Sequence, residues 1–347
     1  MKKQIIVFPM ALVMLAWLAM SPGHAQEPFY KDKTITIIAG SGAGNVYDLY
    51  ARWFAKYMPK YIPGNPNMIV QNMAGAASMI AANHLYNVSK PDGLTIGAVF
   101  PALYFDQLIG RPEVQYDWSK FIWLGSPVKS EHLLYMRADS GFKTLDDVVK
   151  ASPAPKCGAT GTTSTAFYVP KLLDETIGTN FDIILGYQTG TDIDLAVEKN
   201  EVVCRAFTIT AFFAREPFFT WRKKGFVRVL VQTGKKRDAR LKDTPTIYEF
   251  QEKYKTNDTG KRLTRLILAG GDFGRPYLLP PKTPDANAKI LREAFAKVLQ
   301  DETAVAEAKA QNLEIDPSSA KELDALAEEV VNQPPEIVAR MKKLLAY

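Results

Sequence analysis

The sequence is poor in the residues from which metal sites and many catalytic sites are built. It contains two cysteines, Cys157 and Cys204, and three histidines in 347 residues. No cysteine and histidine stand at the short spacings of a zinc site, so no metal ligands are expected. The sequence also lacks the Gly-x-Ser-x-Gly elbow of many hydrolases and the Gly-Lys-Ser/Thr end of a phosphate-binding loop. We therefore expect no enzyme, no metal and no cofactor.

A strong excess of either charge is also missing. The formal net charge is +6, and two of these charges, Lys2 and Lys3, lie in the first few residues. No stripe of lysine and arginine interleaved with aromatic residues is present, which argues against a nucleic-acid partner. The mild positive balance is compatible with attraction of small anions.

Only one long hydrophobic run occurs, at residues 5–20. It follows Lys2 and Lys3 and precedes small residues at Gly23 and Ala25, which is the pattern of a signal peptide cut after Ala25. The run is shorter than the ~20 apolar residues that span a bilayer. We expect export to the periplasm with residues 1–25 removed, the alternative being a retained membrane anchor. In an oxidising compartment the cysteine pair predicts a disulfide, although two buried thiols remain an alternative.

The remaining chain alternates strand and helix patterns, which predicts an α/β fold with doubly wound, mostly parallel sheets. Its length suffices for two lobes. β-Branched or apolar runs bounded by glycine or proline predict strands. The principal ones lie at residues 34–39, 68–70, 94–99, 181–185, 202–207, 226–231 and 263–269.

Three loops of small residues each follow a strand and open a helix. They are the first loop (residues 40–45), the second loop (residues 72–78) and the third loop (residues 158–165). Helix N-termini carry free backbone N–H groups and the positive end of the helix dipole, so they bind anions without a cationic side chain. Tight turns alone would also explain one such loop. Three in one chain favour an anion-binding cleft beyond the carboxyl ends of the strands.

The order and spacing of these elements resemble the periplasmic receptors of tripartite tricarboxylate transporters, also called Bug-type receptors. The resemblance covers nearly the whole chain after residue 25. It rests on matches to the family's Asp-x-x-Ala-Arg, Asn-x-x-Gly-Ala, Pro-Asp-Gly-x-Thr, third-loop and Pro-Thr patterns. Here these are Asp48 to Arg52, Asn72 to Ala76, Pro91 to Thr95, Gly158 to Ser164 and Pro245 to Thr246.

The resemblance implies a two-lobed periplasmic-binding-protein fold of type II, a small organic acid as ligand and delivery to membrane permease subunits. A monomer is expected. The residues expected to bind the ligand come from the three loops and from facing positions of both lobes: Ser41, Gly44, Asn45, Tyr47, Asp48, Ala77, Ser78, Tyr104, Thr160, Gly161, Thr162, Thr163, Ser164, Tyr187, Thr189 and Phe207.

Departures from the family pattern lead to a more specific hypothesis. Asn45 and Ser78 replace glycines, Met73 replaces an arginine, and Tyr47 stands where a small residue is usual. Tyr47, together with Phe100, Tyr104 and Phe207, could line the cleft with aromatic surface and select an aromatic or larger carboxylate. The alternative is that these rings lie in lobe cores.

Two other functions are alternatives. A secreted α/β hydrolase-like enzyme could use the hydroxyls of the third loop, but no base stands at a recognisable spacing from them. A ligand-sensing accessory of a signalling system is not distinguished from a transport receptor by sequence. The expected lobes are residues 26–125 plus 245–347 and residues 126–244.

Overall fold

The computed structural model describes residues 27–161, 164–187 and 189–345. The expected signal peptide, residues 1–25, lies outside the described residues. Within the described ranges, no helix is both long and apolar enough to cross a membrane.

Strands and helices alternate through the described ranges. The strands are β1 (Thr34–Ala39), β2 (Asn67–Asn72), β3 (Thr95–Ala98), β4 (Ile122–Ser126), β5 (His132–Arg137), β6 (Lys156–Gly158), β7 (Asp182–Ile184), β8 (Cys204–Thr208), β9 (Val227–Gln232), β10 (Tyr277–Leu279) and β11 (Ser318–Ser319). The helices are α1 (Val46–Tyr57), α2 (Met79–Asn87), α3 (Leu103–Ile109), α4 (Leu145–Val149), α5 (Thr165–Ile177), α6 (Gly190–Glu198), α7 (Ile209–Ala214), α8 (Phe218–Lys224), α9 (Ile247–Lys253), α10 (Asp258–Phe273), α11 (Asp285–Val298), α12 (Glu302–Ala310), α13 (Ala320–Val331) and α14 (Pro335–Leu344).

The first sheet has the strand order β11-β4-β10-β3-β1-β2. β1 pairs in parallel with β2 and β3, while β10 runs antiparallel between β3 and β4, and β11 runs antiparallel to β4. Four of the six strands therefore point the same way. The inner strands are buried on both faces, which explains their continuous apolar runs.

The second sheet has the order β7-β6-β8-β5-β9. β6 pairs in parallel with β7 and β8, and β5 runs antiparallel between β8 and β9. Four of its five strands share a direction. The two mostly parallel sheets with helices on their faces confirm the predicted α/β architecture.

Residues 263–269, predicted as a strand, form the middle of α10 instead. Leu263, Leu266 and Ile267 recur at helical spacing, and the side chain of Asn257 caps the helix by accepting a bond from the Gly260 amide. The segment looked like a strand because it is buried nearly all round, which removes the polar positions that mark a surface helix. α10 packs against α5 of the second sheet's layer and against α13 and α14.

A short connection joins the two sheets at their carboxyl edges. β4 ends at Ser126 and β5 begins at His132, so only residues 127–131 connect them. Ser126 lies at the carboxyl edge of the first sheet, and His132 pairs with Thr208 at the carboxyl edge of the second. Because the connection spans at most about 20 Å, the carboxyl edges of both sheets lie close to each other. The lobe boundaries themselves stay a prediction.

Cys157 on β6 and Cys204 on β8 are joined as a disulfide between neighbouring strands. Both residues are fully buried. The bridge lies inside the second sheet and ties together strands whose ends carry the third loop.

Candidate functional site

The first loop is fixed by the carboxylate of Asp48. This carboxylate accepts bonds from the Gly44 amide, the Arg52 guanidinium and the Asn72 side-chain amide, each at 2.9 Å. Burial by itself raises the pKa of Asp48, but the hydrogen bonds from Arg52, Gly44 and Asn72 outweigh it and lower the pKa below 3.8. Asp48 therefore stays ionised at neutral pH.

Asp48 was predicted to contact the ligand, yet it is 1% exposed and its oxygens already accept three bonds. We therefore assign it the role of positioning the loop. The side chain of Asn45 caps α1 by accepting a bond from the Tyr47 amide. The exposed amides of Gly42 and Ala43 donate to no acceptor in the described part of the chain. These amides are free to bind an anion.

The second loop has an uncommon backbone. Gly75, Ala76, Ala77 and Ser78 all have positive φ angles, of 140°, 43°, 49° and 73°. Ser78 is fully buried, and its hydroxyl donates to the Gly40 carbonyl at 2.7 Å. That bond ties the second loop to the end of β1. Ser78 thus holds two loops together, while Ala77 is exposed and free to contact a solute.

α2 begins directly after this loop, and no side chain caps its N-terminus. The Met79 amide donates to the Ala76 carbonyl, and both Ser78 and Met79 are buried. The junction of the second loop with α2 therefore does not present these two residues to a solute, and anion binding by the second loop stays a prediction.

Tyr47 forms an aromatic wall with Phe100, which follows β3. Their ring centroids lie 4.6 Å apart, and the Tyr47 hydroxyl donates to the Gly274 carbonyl at 3.4 Å. Burial raises the pKa of Tyr47 to about 12, against the opposing effect of Arg275. Tyr47 is therefore a neutral hydrogen-bonding group at neutral pH.

Arg275 is the residue of this region that sequence reasoning missed. Its guanidinium carbon lies 5.7 Å from the Tyr47 ring and 5.2 Å from the Tyr50 ring. Its amide donates to the Ser126 hydroxyl at the end of β4, which places it at the carboxyl edge of the first sheet. Its buried Nε has no partner, and no carboxylate of the described ranges forms an ion pair with it. A cation is thus available beside the first loop.

The third loop opens α5 from the second sheet. Ser164 is the N-cap, but its hydroxyl donates to the Gly161 carbonyl at 2.7 Å, so it caps no amide of the helix. Thr160 is exposed and Gly161 partly exposed. Thr162 and Thr163 lie outside the described residues. Among the described residues, the amides of Thr165 and Ala166 at the start of α5 have no acceptor.

Tyr187 and Thr189 lie beside this loop. A side chain at Gly158 would come within 3.1 Å of the Tyr187 ring, so Gly158 is required for the packing of that ring. Thr189 is exposed and begins α6 with a capping box, in which its hydroxyl donates to Asp192 at 2.9 Å. The Thr189 hydroxyl is thus already used within the protein.

The structure buries two predicted ligand residues. Tyr104 is fully buried, and its hydroxyl donates to the Leu266 carbonyl and accepts from the Gly270 amide. Phe207 is 6% exposed and packs on Phe218 with ring centroids 4.7 Å apart. Both side chains are enclosed by protein groups here, as the core alternative expects, and a direct role of either in ligand binding stays a prediction.

Two mostly parallel α/β sheets, joined by a short connection at their carboxyl edges and carrying small-residue loops that open helices, are the architecture of a two-lobed solute-binding protein. The chain belongs to the tripartite tricarboxylate transporter family of receptors, whose model matches residues 51–342. The family and the similar structures are periplasmic solute-binding receptors and not enzymes.

A relative from Cupriavidus necator, the UPF0065 protein in the gbd 5′ region, is 26% identical over 288 residues, which cover 81% of this chain and 79% of the relative. The crystal structure of a solute-binding protein of this family from Polaromonas, without ligand, has a TM-score of 0.71 at 18% identity and covers 91% of this chain and 99% of that one. The structure of Rpa4515 from R. palustris with adipate has a TM-score of 0.59 at 16% identity and covers 90% and 97%. These structural similarities concern the fold.

Proposed function

We propose that this protein is a periplasmic receptor that captures a small organic acid between its two sheets and delivers it to the permease of a tripartite transporter. The observation that carries the proposal is the match of the receptor family's model to residues 51–342. Backbone amides of the first loop that have no acceptor in the described part of the chain, and the Arg275 side chain beside that loop, support it. Each hydrogen bond to a charged group contributes about 1.5–3 kcal/mol. A few such bonds exceed the ~8 kcal/mol that micromolar affinity requires, before ordering costs are subtracted.

The ligand class follows from the residues at that edge. Amides of the first and third loops suit a carboxylate, and the cation of Arg275 suits a second one or strengthens the first. The neutral Tyr47 and Phe100 add an aromatic wall of half-buried surface. The similar protein solved with adipate supports a carboxylate of this size, and the aromatic wall extends the proposal to aromatic carboxylates.

Calorimetric titration tests the binding. Protein dialysed free of ligand is titrated with adipate, citrate, benzoate and terephthalate, and we expect saturable binding of at least one acid with no chemical conversion. Phe100→Leu should weaken the binding of an aromatic acid more than the binding of adipate, because it removes one ring of the aromatic wall. Phe219→Leu is the matched control, since Phe219 is exposed on α8. Binding of aliphatic acids alone, unchanged in Phe100→Leu, would refute the aromatic part.

The proposal also includes export to the periplasm, a monomeric state and a membrane transporter as partner. The intact mass of the protein from the periplasmic fraction should equal that of a chain that begins at Gln26. Light scattering should give the mass of a monomer. Uptake of the bound acid in cells carrying the permease should depend on this receptor. If the acid binds but its uptake does not depend on this protein, the receptor delivers its ligand to a different partner.

A further inference from the structure

A large cavity lies at the outer edge of the second sheet. Its volume is about 780 Å³, within the range of ligand sites, and no residue of the loops lines it. The strand that borders it is β9, which stands last in the sheet order and pairs only with β5. We call this space the edge cavity.

The free side of β9 is covered only at its end. There the Gln232 amide donates to the Pro245 carbonyl, and the Gln232 side chain donates to the carbonyls of Leu241 and Thr244. From Val227 to Leu230 the strand lines the edge cavity instead. In the described part of the chain, the outward backbone groups of these four residues form no hydrogen bond. Such an unpaired edge is a template for another strand.

The edge cavity extends onto both faces of the sheet. On one face Phe212 and Phe213 of α7 line it, on the side to which Val227 and Val229 pack. On the other face Leu145 and Phe250 line it, in the core cluster that contains Leu230. The helix layers therefore project past β9 and leave a slot between them.

The slot has the volume of a short strand. A strand occupies about 4.8 Å in the pairing direction, about 10 Å between layers and about 3.4 Å per residue, or roughly 160 Å³ per residue. The cavity volume of about 780 Å³ therefore holds roughly five residues in extended form. Alternate side chains of such a strand would turn to opposite faces of the sheet.

The wall of the edge cavity is positively charged. Lysines and arginines outnumber carboxylates along it by six to three. Lys143, Arg222 and Arg228 form no ion pair with any carboxylate of the described ranges, and the buried Nε of Arg222 has no partner. A second copy of the chain would bring these cations against one another, so the charge favours a different, acidic partner.

We propose that the free edge of β9 binds an extended segment of a partner protein, in which acidic residues alternate with apolar ones, as an added strand of the second sheet. Backbone pairing would supply affinity, the phenylalanines would accept the apolar side chains, and the unpaired cations would select acidic ones. The proposal is independent of the ligand in the cleft.

Selection from a random heptapeptide display library on the full chain tests this inference. We expect enriched peptides to alternate apolar with acidic residues. A synthetic copy of the best one should slow hydrogen exchange of the amides at Val227–Leu230. Arg228→Glu should weaken its binding about ten-fold or more, whereas Lys289→Glu, the same charge change at an exposed position of α11, should not.

Peptide methylated on alternate backbone nitrogens is the decisive probe. It keeps the side chains and charges but cannot pair along one edge, so its affinity should fall at least ten-fold. Equal binding of the methylated peptide would overturn the proposal. So would a selection without binders, binders that lack acidic residues, or binding that leaves exchange at β9 unchanged.

Discussion

The carboxylate of Asp48 accepts a 2.9 Å hydrogen bond from the side-chain amide of Asn72, and the same amide nitrogen lies 3.1 Å from the Ser41 carbonyl. One residue at the end of β2 thus orients both the first loop and the helix that follows it. The buried carboxylate links the first loop to the end of β2 and has no surface exposed to a ligand. Its effect on affinity is expected to act through loop geometry.

Asp48→Ala should lower the free energy of unfolding by about 1–3 kcal/mol, because it removes the buried acceptor shared by the Gly44 amide, the Asn72 amide and the Arg52 guanidinium. Ligand affinity should fall with it. Urea unfolding and calorimetry measure the two effects. Asp182→Asn, an exposed carboxylate on β7, is the control and should change neither.

The stability due to the Asp48 charge should depend on pH. Its pKa is lowered in the folded protein, so the contribution is present above the ordinary value of 3.8 and is lost as pH falls through the lowered pKa. The stability difference between wild type and Asp48→Asn should therefore shrink below about pH 4. A difference that grows on acidification would contradict this assignment.

Ala77→Gly should stabilise the protein by about 0.5–1 kcal/mol. Ala77 is exposed with φ 49° and ψ 48°, a left-handed conformation that costs alanine more than glycine. Urea unfolding tests this, with Ala55→Gly as the matched control. Ala55 lies within α1, where the same substitution should destabilise by about 1 kcal/mol. Two losses of equal size would show that the second loop carries no strain.

Much of the fold could be predicted because its signals are local. The strand β1, the small-residue loop after it and the helix α1 occupy adjacent residues, and each leaves its own pattern of burial or capping. The interior of α10 could not be predicted this way. Between Leu263 and Ala269 only Arg265 is exposed, and the other charged residues of the polar face, such as Lys261 and Asp272, lie outside that short window.

The candidate site was only partly predictable for a related reason. The loops could be found from glycine and hydroxyl residues, but whether Tyr104 or Phe207 faces the cleft depends on packing that no short pattern records. Arg275 is more than two hundred residues from Tyr47 in the chain. Only the return of the chain into β10 places it beside the first loop.

Replacing Cys157 and Cys204 with alanine should lower stability without changing the ligand. The bridge closes a loop with a sequence separation of 47 residues, which corresponds to about 4 kcal/mol in the chain-entropy model. Thermal and urea unfolding measure the loss, and calorimetry should give affinity within about two-fold of wild type. Wild-type protein treated with a reductant should unfold like the double variant. Free thiols in unreduced, denatured protein would contradict the pairing.

Glu131, in the crossing between β4 and β5, should make stability fall as pH rises toward neutrality. Burial, reinforced by Asp316, Asp272 and Asp238 against the opposing Lys129, raises its pKa from 4.5 to about 7. The folded protein then binds the proton more tightly than the unfolded chain, so stability decreases from about pH 4.5 to about pH 7 and levels off above.

Glu131→Gln should remove this part of the pH dependence. Unfolding free energies measured from pH 5 to pH 8 should be flatter for the variant than for wild type. Glu336→Gln, at the start of α14 and away from the crossing, is the control and should keep the wild-type slope. Parallel curves for wild type and Glu131→Gln would show that the carboxylate is ionised throughout this range.

Arg275→Met should weaken binding of a carboxylate ligand by about ten- to one-hundred-fold, because one hydrogen bond to a charged group contributes about 1.5–3 kcal/mol. The apolar stem of methionine keeps contact with the rings of Tyr47 and Tyr50, so the unfolding free energy should change little. Arg340→Met, on the exposed side of α14, is the control. Since arginine stays charged, the wild-type affinity should vary little between pH 6 and pH 9. Unchanged affinity in Arg275→Met would mean that backbone amides hold the acid without this cation.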